Sequence, residues 1–411
     1  MKICHICTGF SISFQGGITN YVRSLAESQQ NAGHNVWVVS RTPDREYNFN
    51  VKTFESSKIR PFTLRAMKDK NGLKEIRKFF EAEKFDIIHI HMMMDIDWDF
   101  YKILKNYNYV VSLHDYFFLC PRIVMMKPDR TLCTEYDEKK CEKCISWFDT
   151  KRLFSGARRI VQGLGWKKFD YPNLKQNMTT KRFANIKQLL ENANVLLPVS
   201  NRVKEIYENS EIKGNYQVLH IGNITADSFD YGYIPVVKND KINIIMIGNM
   251  NYYKGADLFI KLAQSLDREK YSVHFYGKSG EYSDKLKEVE IIDHGVYKQN
   301  QLSDILAESD IGCLFSVWED NGPQVVMEML NNHIPVLGTK MGGIPDFIDE
   351  GVNGFLFDPY KNGDFENLIS ILNQLTKEEI LEMKRNIKPT MTTKEHEQKI
   401  VDIYNNIINQ K

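Results

Sequence analysis

The chain has 411 residues, 42% of them hydrophobic, and this length predicts two domains of roughly 150–200 residues each. Its 54 basic and 53 acidic residues give a formal net charge of +1, which excludes nucleic-acid binding driven by overall charge. No window approaches the roughly 18–20 continuous apolar residues of a membrane span. Seven cysteines without an export signal indicate a reducing compartment, so we expect a cytoplasmic protein.

Short β-rich apolar runs alternate with longer amphipathic stretches through most of the chain. This alternation predicts an α/β fold, with parallel sheets covered by helices. In the first half, a helix is expected from about Thr19 to Ala32, with Gly33 as its C-cap. The predicted strands of this half are Lys2–Thr8, His34–Ser40, Phe85–His91, Tyr109–His114 and Val195–Ser200.

A second series of the same kind follows, after glycines and a proline interrupt the periodicity between residues 215 and 240. We therefore predict an N-terminal domain over 1–222 and a C-terminal domain over 223–391. A last helix over 392–411 is expected to pack back on the N-terminal domain. The predicted strands of the second series are Ile242–Ile247, Tyr271–Tyr276, Ile291–His294, Ile311–Ser316, Pro335–Gly338 and Gly354–Phe357.

The segment from about 120 to 187 fits neither series and is predicted to be an insertion. It holds four cysteines in the pattern C-x12-C-x7-C-x2-C, and the last pair has the spacing of a structural zinc site. Free or packed thiols remain the alternative. Any such zinc would not be catalytic, because four thiolates leave no open coordination position. The cysteines are Cys120, Cys133, Cys141 and Cys144.

A basic segment, residues 151–169, follows the cysteines. It holds six Lys and Arg residues and no acid, interleaved with apolar side chains such as Phe154 and Trp166. This combination suits binding to an anionic membrane surface. The alternative is a solvated basic helix that packs its apolar side on the domain.

A glycine pair, Gly16-Gly17, lies between the first predicted strand and the first helix. Backbone N–H groups and the positive end of the helix dipole would then be directed at a ligand, which suits phosphate. The alternative is a simple turn that needs glycine for its φ angles. The loop does not match G-x-G-x-x-G, which argues against an ordinary NAD site.

Two histidines, His89 and His91, alternate along one predicted strand. Side chains two residues apart in a strand lie on the same face of the sheet. We interpret both as structural histidines at a strand end and not as ligands.

The stretch over residues 318–357 carries the densest set of polar and glycine residues. Asp320 and Glu328 have seven residues between them, and Gly342-Gly343 follows after a predicted strand. This spacing allows two acids to hold one ligand at two points. Acids at helical spacing on a solvated face are the alternative for this pair alone.

The same stretch resembles the E-x7-E signature of family-4 glycosyltransferases with the GT-B fold, here in a D-x7-E form. The Gly-Gly loop, Ser112-Leu113-His114-Asp115, Pro198-Val199-Ser200 and Lys254-Gly255 occur in the family's order, so the resemblance covers nearly the whole chain. It implies two Rossmann-like parallel-sheet domains facing across a cleft. It also implies retaining transfer of a sugar from a nucleotide-sugar donor to a saccharide acceptor, without a catalytic metal.

The resemblance also implies roles for individual residues. Glu328 would bind the nucleotide ribose, Asp320 would contact the transferred sugar, and His114 would lie beside the reacting carbon. A shift of one residue would make Glu319 the first acid instead of Asp320, and this alternative stays open.

The diphosphate of the donor is assigned to a second group of residues. Lys254 would neutralise it, helped by backbone N–H groups of Gly16-Gly17 and of Gly342-Gly343, because fixed dipoles and a cation stabilise a leaving diphosphate. The chain departs from the family at Asn249, where an Arg near this position is usual. One expected diphosphate cation is therefore missing.

The resemblance and the basic segment together predict a role in bacterial surface-polysaccharide assembly. The acceptor is expected to be lipid-linked, and the protein to lie peripherally at the inner face of the cell membrane. Two alternatives are a non-catalytic sugar-binding scaffold of the same fold and a nucleotide-sugar epimerase or phosphorylase.

Overall fold

A computed structural model gives the fold of the chain and divides it into two compact units. The first unit holds Met1–Val199, Val203–Leu219 and Glu397–Lys411, and the second holds Ser200–Arg202 and His220–His396. The structure describes residues 1–7, 16–40, 47–54, 70–93, 96–141, 143–144, 172–237 and 239–410.

The first unit contains a six-stranded parallel sheet in the order β3-β2-β1-β4-β5-β6. All residues of β4 are buried, as expected for a central parallel strand that is covered on both faces. The strands are β1 Lys2–Cys7, β2 Asn35–Ser40, β3 Asn50–Thr53, β4 Ile87–Met92, β5 Tyr109–Leu113 and β6 Val195–Pro198. Apart from the last helix of the chain, the described helices that have most of their residues in the first unit are α1 Gly17–Asn31, α2 Lys70–Glu83, α3 Tyr101–Leu104, α4 Pro172–Glu191 and α5 Asn201–Asn209.

The second unit repeats this topology in a sheet ordered β12-β11-β10-β7-β8-β9. Its buried residues form clusters that include Phe259, Phe275 and Phe315 in one and Leu306, Met329 and Val336 in another. The strands are β7 Ile242–Asn249, β8 Tyr271–Lys278, β9 Ile292–Asp293, β10 Ile311–Leu314, β11 Val336–Thr339 and β12 Gly354–Phe357. The helices are α6 Ala256–Ser265, α7 Ser283–Glu288, α8 Leu302–Ala307, α9 Gln324–Asn331, α10 Asp364–Gln374 and α11 Lys377–Asn386.

These two sheets confirm the predicted α/β class with two Rossmann-like parallel sheets. All eleven predicted strands occur, with shifts of their ends, and the helix predicted over Thr19–Ala32 is α1. Strand β3 was not predicted, because Asn50–Thr53 is a short edge strand with no buried residue. An edge strand without buried residues lacks the apolar run that marks a buried strand.

The last helix, α12, spans Thr393–Asn409. Its residues from Glu397 onward belong to the first unit, where the Tyr404 hydroxyl lies 2.6 Å from Nδ1 of the buried His89. Within the described ranges, no helix is long and apolar enough to cross a membrane. The basic segment over 151–169 lies outside the described residues.

Candidate functional site

The loops that follow β7 and β10 meet at one point of the second sheet. These two strands are neighbours, while the chain continues from them toward opposite halves of the sheet. Ligands of doubly wound α/β sheets bind beyond the carboxyl ends of the strands at such a point. Lys254 follows β7 and Asp320 follows β10, and the Lys254 Nζ atom donates to Asp320 Oδ2 at 2.6 Å. The tertiary structure thus joins two residues that are 66 positions apart.

A short turn positions Lys254. Asn251 caps the turn by accepting a hydrogen bond from the Lys254 backbone N–H at 3.1 Å. Gly255 ends it at φ +75°, where a Cβ atom would lie 1.9 Å from the Phe315 carbonyl oxygen. Only glycine allows this approach, since any side chain would force the two loops apart. The Lys-Gly pair is therefore fixed by packing as well as by its charge.

Asp320 is 6% exposed and accepts from two side chains. Besides Lys254, the Ser316 hydroxyl donates to Asp320 Oδ2 at 2.8 Å. The Lys254 side chain is 35% exposed. Its ammonium group therefore contacts Asp320 and is still accessible to a ligand. A carboxylate and a cation in contact can serve the hydroxyl groups and the diphosphate of one ligand.

The neighbouring acid, Glu319, has a different environment. It is 2% exposed. Its carboxylate accepts a hydrogen bond from Arg202 Nη2 at 2.6 Å and another from the Gly342 backbone N–H at 3.1 Å. Both carboxylate oxygens are thus engaged by the protein. The geometry favours Asp320 over Glu319 as the acid that meets a ligand.

Gly342-Gly343 packs directly against the loop that carries the acids. The Gly343 N–H donates to the Asp320 carbonyl oxygen at 2.6 Å, and a Cβ atom on Gly342 would lie 2.0 Å from the same oxygen. Gly342 also has a positive φ of +56°, which favours glycine. Both amide groups thus donate to the loop that carries the acids, Gly342 to the Glu319 carboxylate and Gly343 to the Asp320 carbonyl oxygen.

Glu328 lies on α9, and the Gln299 Nε2 atom approaches its Oε1 at 3.5 Å. Burial raises the pKa of the Glu328 carboxyl to about 7, and the Gln299 amide opposes this shift. A carboxyl group that gains its charge near neutral pH is typical of ligand sites. Asp320, in contrast, lies in the loop before α9, so the two acids do not share one helix.

Asn249 is the last residue of β7 and is exposed. Its carbonyl oxygen accepts from Asn251 Nδ2 at 3.2 Å, which ties it to the turn that carries Lys254. It lies at the same end of the sheet as Lys254. Its neutral side chain offers hydrogen bonds but no charge.

In the first unit, Gly16 is the N-cap of α1 and Gly17 is its first residue. Among the described residues, no side chain caps this terminus through Gly16, and the first turn of the helix holds no acid. The first backbone N–H groups of a helix have no partner within the helix, so this end suits an anion.

His114 directly follows β5 and is partly buried. Its Nε2 atom lies 3.1 Å from Nδ1 of His91, and the Tyr21 ring packs edge-on against it at 4.7 Å between centroids. His91 was interpreted from the sequence as structural, and its contact with His114 was missed. Ser316 and Arg202 were missed as well, because nothing in their spacing links them to the acids.

The four cysteines line one cavity of about 640 Å³ together with Arg122 and Lys127. Burial raises the pKa of the Cys141 thiol to about 12 and raises those of Cys120 and Cys144. In each of the three thiols, the negative charge of neighbouring cysteines adds to the rise.

Two family models match the chain and together cover both units. The model described as Glycosyltransferase Family 4 matches residues 15–222, which is half of the chain. The model described as Glycosyl transferases group 1 matches residues 234–390.

Individual proteins are similar over different shares of the chain. An uncharacterized 41.2 kDa protein in the cps region of Klebsiella pneumoniae is 24% identical over 157 residues, which are 38% of this chain and 41% of that protein. The crystal structure of a glycosyltransferase from Rickettsia africae has a TM-score of 0.64 at 15% identity, covering 100% of this chain and 99% of that one. The Anabaena protein HepE in complex with UDP has a TM-score of 0.62 at 12% identity, with 100% and 99% coverage. At these identities the structures support the fold alone.

Proposed function

The chain belongs to Glycosyltransferase Family 4, and from this membership we propose that it transfers a sugar from a nucleotide-sugar donor to a saccharide hydroxyl with retention at the anomeric carbon. The observation that carries the proposal is the contact of Lys254 with Asp320 beyond the carboxyl ends of β7 and β10, where the chain continues toward opposite halves of the second sheet. A cation beside a carboxylate suits a ligand that combines a diphosphate with sugar hydroxyls.

The donor is held mainly by the second unit. Lys254 binds the diphosphate, Asp320 accepts hydrogen bonds from the transferred sugar, and Glu328 accepts them from the ribose. HepE, which has a similar fold, binds UDP, and this supports a nucleotide-sugar donor here. Asn249 contributes a neutral contact at the same end of the sheet.

The first unit supplies the acceptor side, with His114 beside the reacting carbon. The N-terminus of α1 at Gly16-Gly17 offers N–H groups and the positive end of a helix dipole, and we assign these groups to the diphosphate as part of the proposal. The donor's anomeric carbon–oxygen bond breaks as the acceptor oxygen attacks from the same face, and the acceptor proton passes to the leaving phosphate oxygen. This route retains configuration without a carboxylate nucleophile and without a catalytic metal.

The first experiment is a mass-spectrometric screen of nucleotide sugars for release of nucleoside diphosphate, with and without saccharide acceptors. We expect slow hydrolysis of one donor alone and faster release with its acceptor. Binding without any release would favour a sugar-binding scaffold of the same fold. Isomerised donor without release would favour an epimerase.

We further propose that the acceptor is lipid-linked and that the reaction belongs to surface-polysaccharide assembly at the cytoplasmic face of the cell membrane. The K. pneumoniae relative, named for its position in a cps region, supports this pathway. The basic segment over 151–169 supplies the charge for reversible attachment, at about 1 kcal/mol for each Lys or Arg near an anionic surface.

Reversal of Arg158, Arg159, Lys167 and Lys168 to Glu is expected to weaken binding to anionic liposomes by about tenfold or more, because attraction becomes repulsion. Donor hydrolysis should not change. Liposome co-sedimentation at low salt measures the first effect, and nucleoside diphosphate release measures the second.

The matched control reverses four lysines of the second unit, at Lys261, Lys285, Lys287 and Lys298. This variant changes the net charge equally and should keep liposome binding if the segment itself is the contact. Equal loss in both variants, or no binding by the wild type, would contradict a membrane role for residues 151–169.

A structural zinc at the four cysteines is proposed as well. Four cysteine thiolates are a ligand set that suits tetrahedral zinc, and the four thiols line one cavity. Within the described part of the chain no three of their sulfur atoms lie within 4.8 Å of one another, so binding requires side-chain rotation. Arg182 is 1% exposed beside Cys120 and Cys141, and a zinc–thiolate centre would offset its charge.

Protein purified without chelator is expected to carry about one zinc per chain, because four thiolates bind zinc tightly near neutral pH. The Cys141→Ser/Cys144→Ser variant should lose it, while Cys313→Ala, outside the cluster, should keep it. Elemental analysis measures the metal. A stable, active and metal-free wild type would show that the thiols only pack.

A further inference from the structure

Arg202 forms an ion pair with Glu319, the residue directly before Asp320. The Arg202 Nη2 atom donates to Glu319 Oε1 at 2.6 Å, and Nε lies 3.2 Å from Oε1 and 3.1 Å from Oε2. The Gly342 backbone N–H also donates to Oε2, at 3.1 Å. The Glu319 side chain is buried, while that of Arg202 is 29% exposed. Water therefore competes little for this carboxylate, which is bound by donors of the protein itself.

The loop that leads from β10 to Asp320 is bound at both of its ends. At its start, the Thr339 hydroxyl donates to the Ser316 carbonyl oxygen at 2.7 Å. At its end, the Gly343 N–H donates to the Asp320 carbonyl oxygen at 2.6 Å. Glu319 lies between these two points. Its ion pair is therefore a further point at which the loop is held.

The position of Arg202 is set by the segment to which it belongs. Ser200–Arg202 is assigned to the second unit, although the residues before and after it are assigned to the first. The Asn201 backbone N–H donates to Asp346 Oδ2 at 2.8 Å, and His220 Nε2 lies 2.9 Å from the same oxygen. Asp346 thus fixes the backbone next to Arg202, so the guanidinium group does not depend on Glu319 alone for its placement.

An ion pair that only adds stability is the competing explanation. The pair of Arg268 with Glu290, at 2.7 Å, joins side chains that are 55% and 68% exposed, and such exposed pairs contribute little. The pair of Arg202 with Glu319 differs because its acid is buried and is the neighbour of Asp320. One planar peptide unit joins the Cα atoms of these two acids, so a displacement of Glu319 also displaces the Asp320 backbone.

We propose that Arg202, acting through Glu319, is a positioning residue that holds Asp320 where it accepts hydrogen bonds from the transferred sugar. The effect on a sugar rests on the proposed function, whereas the effect on the loop does not. A nucleoside diphosphate lacks the transferred sugar. Its binding through Lys254 and Glu328 should therefore not depend on Arg202, and this difference separates positioning from general stability.

The first test compares the two ligands in Arg202→Gln. We expect kcat/KM for the nucleotide sugar identified by the screen to fall by about tenfold or more, because misplacement of a positioned group by a fraction of its size lowers turnover by up to about 100-fold. Affinity for the corresponding nucleoside diphosphate, measured by isothermal titration, should stay at the wild-type value. Arg268→Gln, which breaks the exposed pair, is the matched control and should behave like the wild type with both ligands.

A second substitution provides a rescue. Arg202→Gln leaves a buried carboxylate without its cation, which is the costly way to break such a pair. In Arg202→Gln/Glu319→Gln no buried charge is left, and the new amide can still accept from the Gly342 N–H. The double variant should therefore recover most of the activity that Arg202→Gln loses. If Glu319 were itself the acid that binds the sugar, the double variant would recover nothing.

Trp318, directly before Glu319, reports on the loop without any substrate. Its indole Nε1 atom is buried, and its ring lies 5.8 Å from Lys254 Nζ. Displacement of the loop in Arg202→Gln should bring water to the indole and shift its fluorescence to longer wavelength. The signal of Trp318 is the part that Trp318→Phe removes. The double variant should return the emission toward that of the wild type.

Three outcomes would overturn the proposal: equal losses with nucleotide sugar and nucleoside diphosphate in Arg202→Gln, no loss with either, or no recovery in the double variant. If thermal melting shows that Arg202→Gln does not fold, Arg202→Lys takes its place, since it keeps the charge and loses the forked geometry. A wild type that binds no nucleotide sugar would contradict the proposed function. The Trp318 emission still decides in that case, because an unchanged emission in the Arg202 variant would contradict a hold on the loop.

Discussion

Lys254→Ala is expected to lower kcat by about 100-fold, the usual cost of removing one group that stabilises developing negative charge. The leaving diphosphate gains charge in the transition state, so KM for the donor should change less than kcat. Position 249 is an asparagine, where the family usually has an arginine nearby. Lys254 is therefore the charged side chain that we assign to the diphosphate. Steady-state kinetics with the donor identified by the screen measure both constants.

The control for this prediction is Lys261→Ala. Lys261 is a half-exposed lysine of the same unit, and it pairs with the exposed Glu366 at 2.7 Å, far along the chain from the acids. The Lys261→Ala variant also loses one positive charge, but it leaves the turn after β7 unchanged. It should therefore retain wild-type kinetics. A loss smaller than about tenfold in Lys254→Ala would contradict the assignment.

Glu328→Ala is expected to weaken donor binding by about 1.5–3 kcal/mol, or roughly 10- to 150-fold, because a charged acceptor of the ribose hydroxyls is lost. The fold should survive, since Glu328 is only partly buried on α9. Isothermal titration with the nucleoside diphosphate measures the affinity. Glu366→Ala, which removes an exposed acid of the same unit, should bind like the wild type.

The raised pKa of Glu328 adds a pH dependence to this prediction. Below about pH 7 the carboxyl is protonated and a weaker acceptor, so wild-type affinity should fall as the pH falls through 7. Glu328→Gln should remove this dependence. Constant wild-type affinity between about pH 5.5 and 8.5 would remove Glu328 from the ribose site.

The stability of the ligand-free protein should depend on pH in the opposite sense to its affinity for the nucleotide. The folded pKa of about 7 lies above the ordinary value of 4.5, so the stability contribution of the neutral carboxyl is present below 4.5 and is lost as the pH rises through 7. Relative to Glu328→Gln, the wild type should therefore melt at a lower temperature above pH 7 than below it. Thermal melts at several pH values, without nucleotide, test this sign.

The fold class was predictable because buried parallel strands leave a signal that is local in sequence. Runs such as Ile242–Ile247 are apolar in succession, and helices alternate with them, so both sheets could be predicted without their strand order. The resemblance of the stretch over 318–357 to a known signature also directed attention to Asp320 and Glu328. Strand β3 was not predicted because an edge strand without buried residues carries no such run.

Only the tertiary structure distinguishes the surroundings of Glu319 from those of Asp320. Adjacent residues in a loop have no periodicity that fixes side-chain direction, and the difference comes from Arg202 on one acid and Lys254 on the other. Likewise, the amides of Gly342-Gly343 were expected to face a diphosphate, and their hydrogen bonds to the acidic loop depend on packing between distant segments.

A contact between two buried histidines shows the same limit most clearly. His5 and His91 are 86 residues apart, and they meet because the sheet inserts β1 beside β4. Sequence determines that each histidine lies on a buried strand. Strand order determines which histidines are neighbours, because it results from the packing of all the helices and strands together, and no local pattern encodes it.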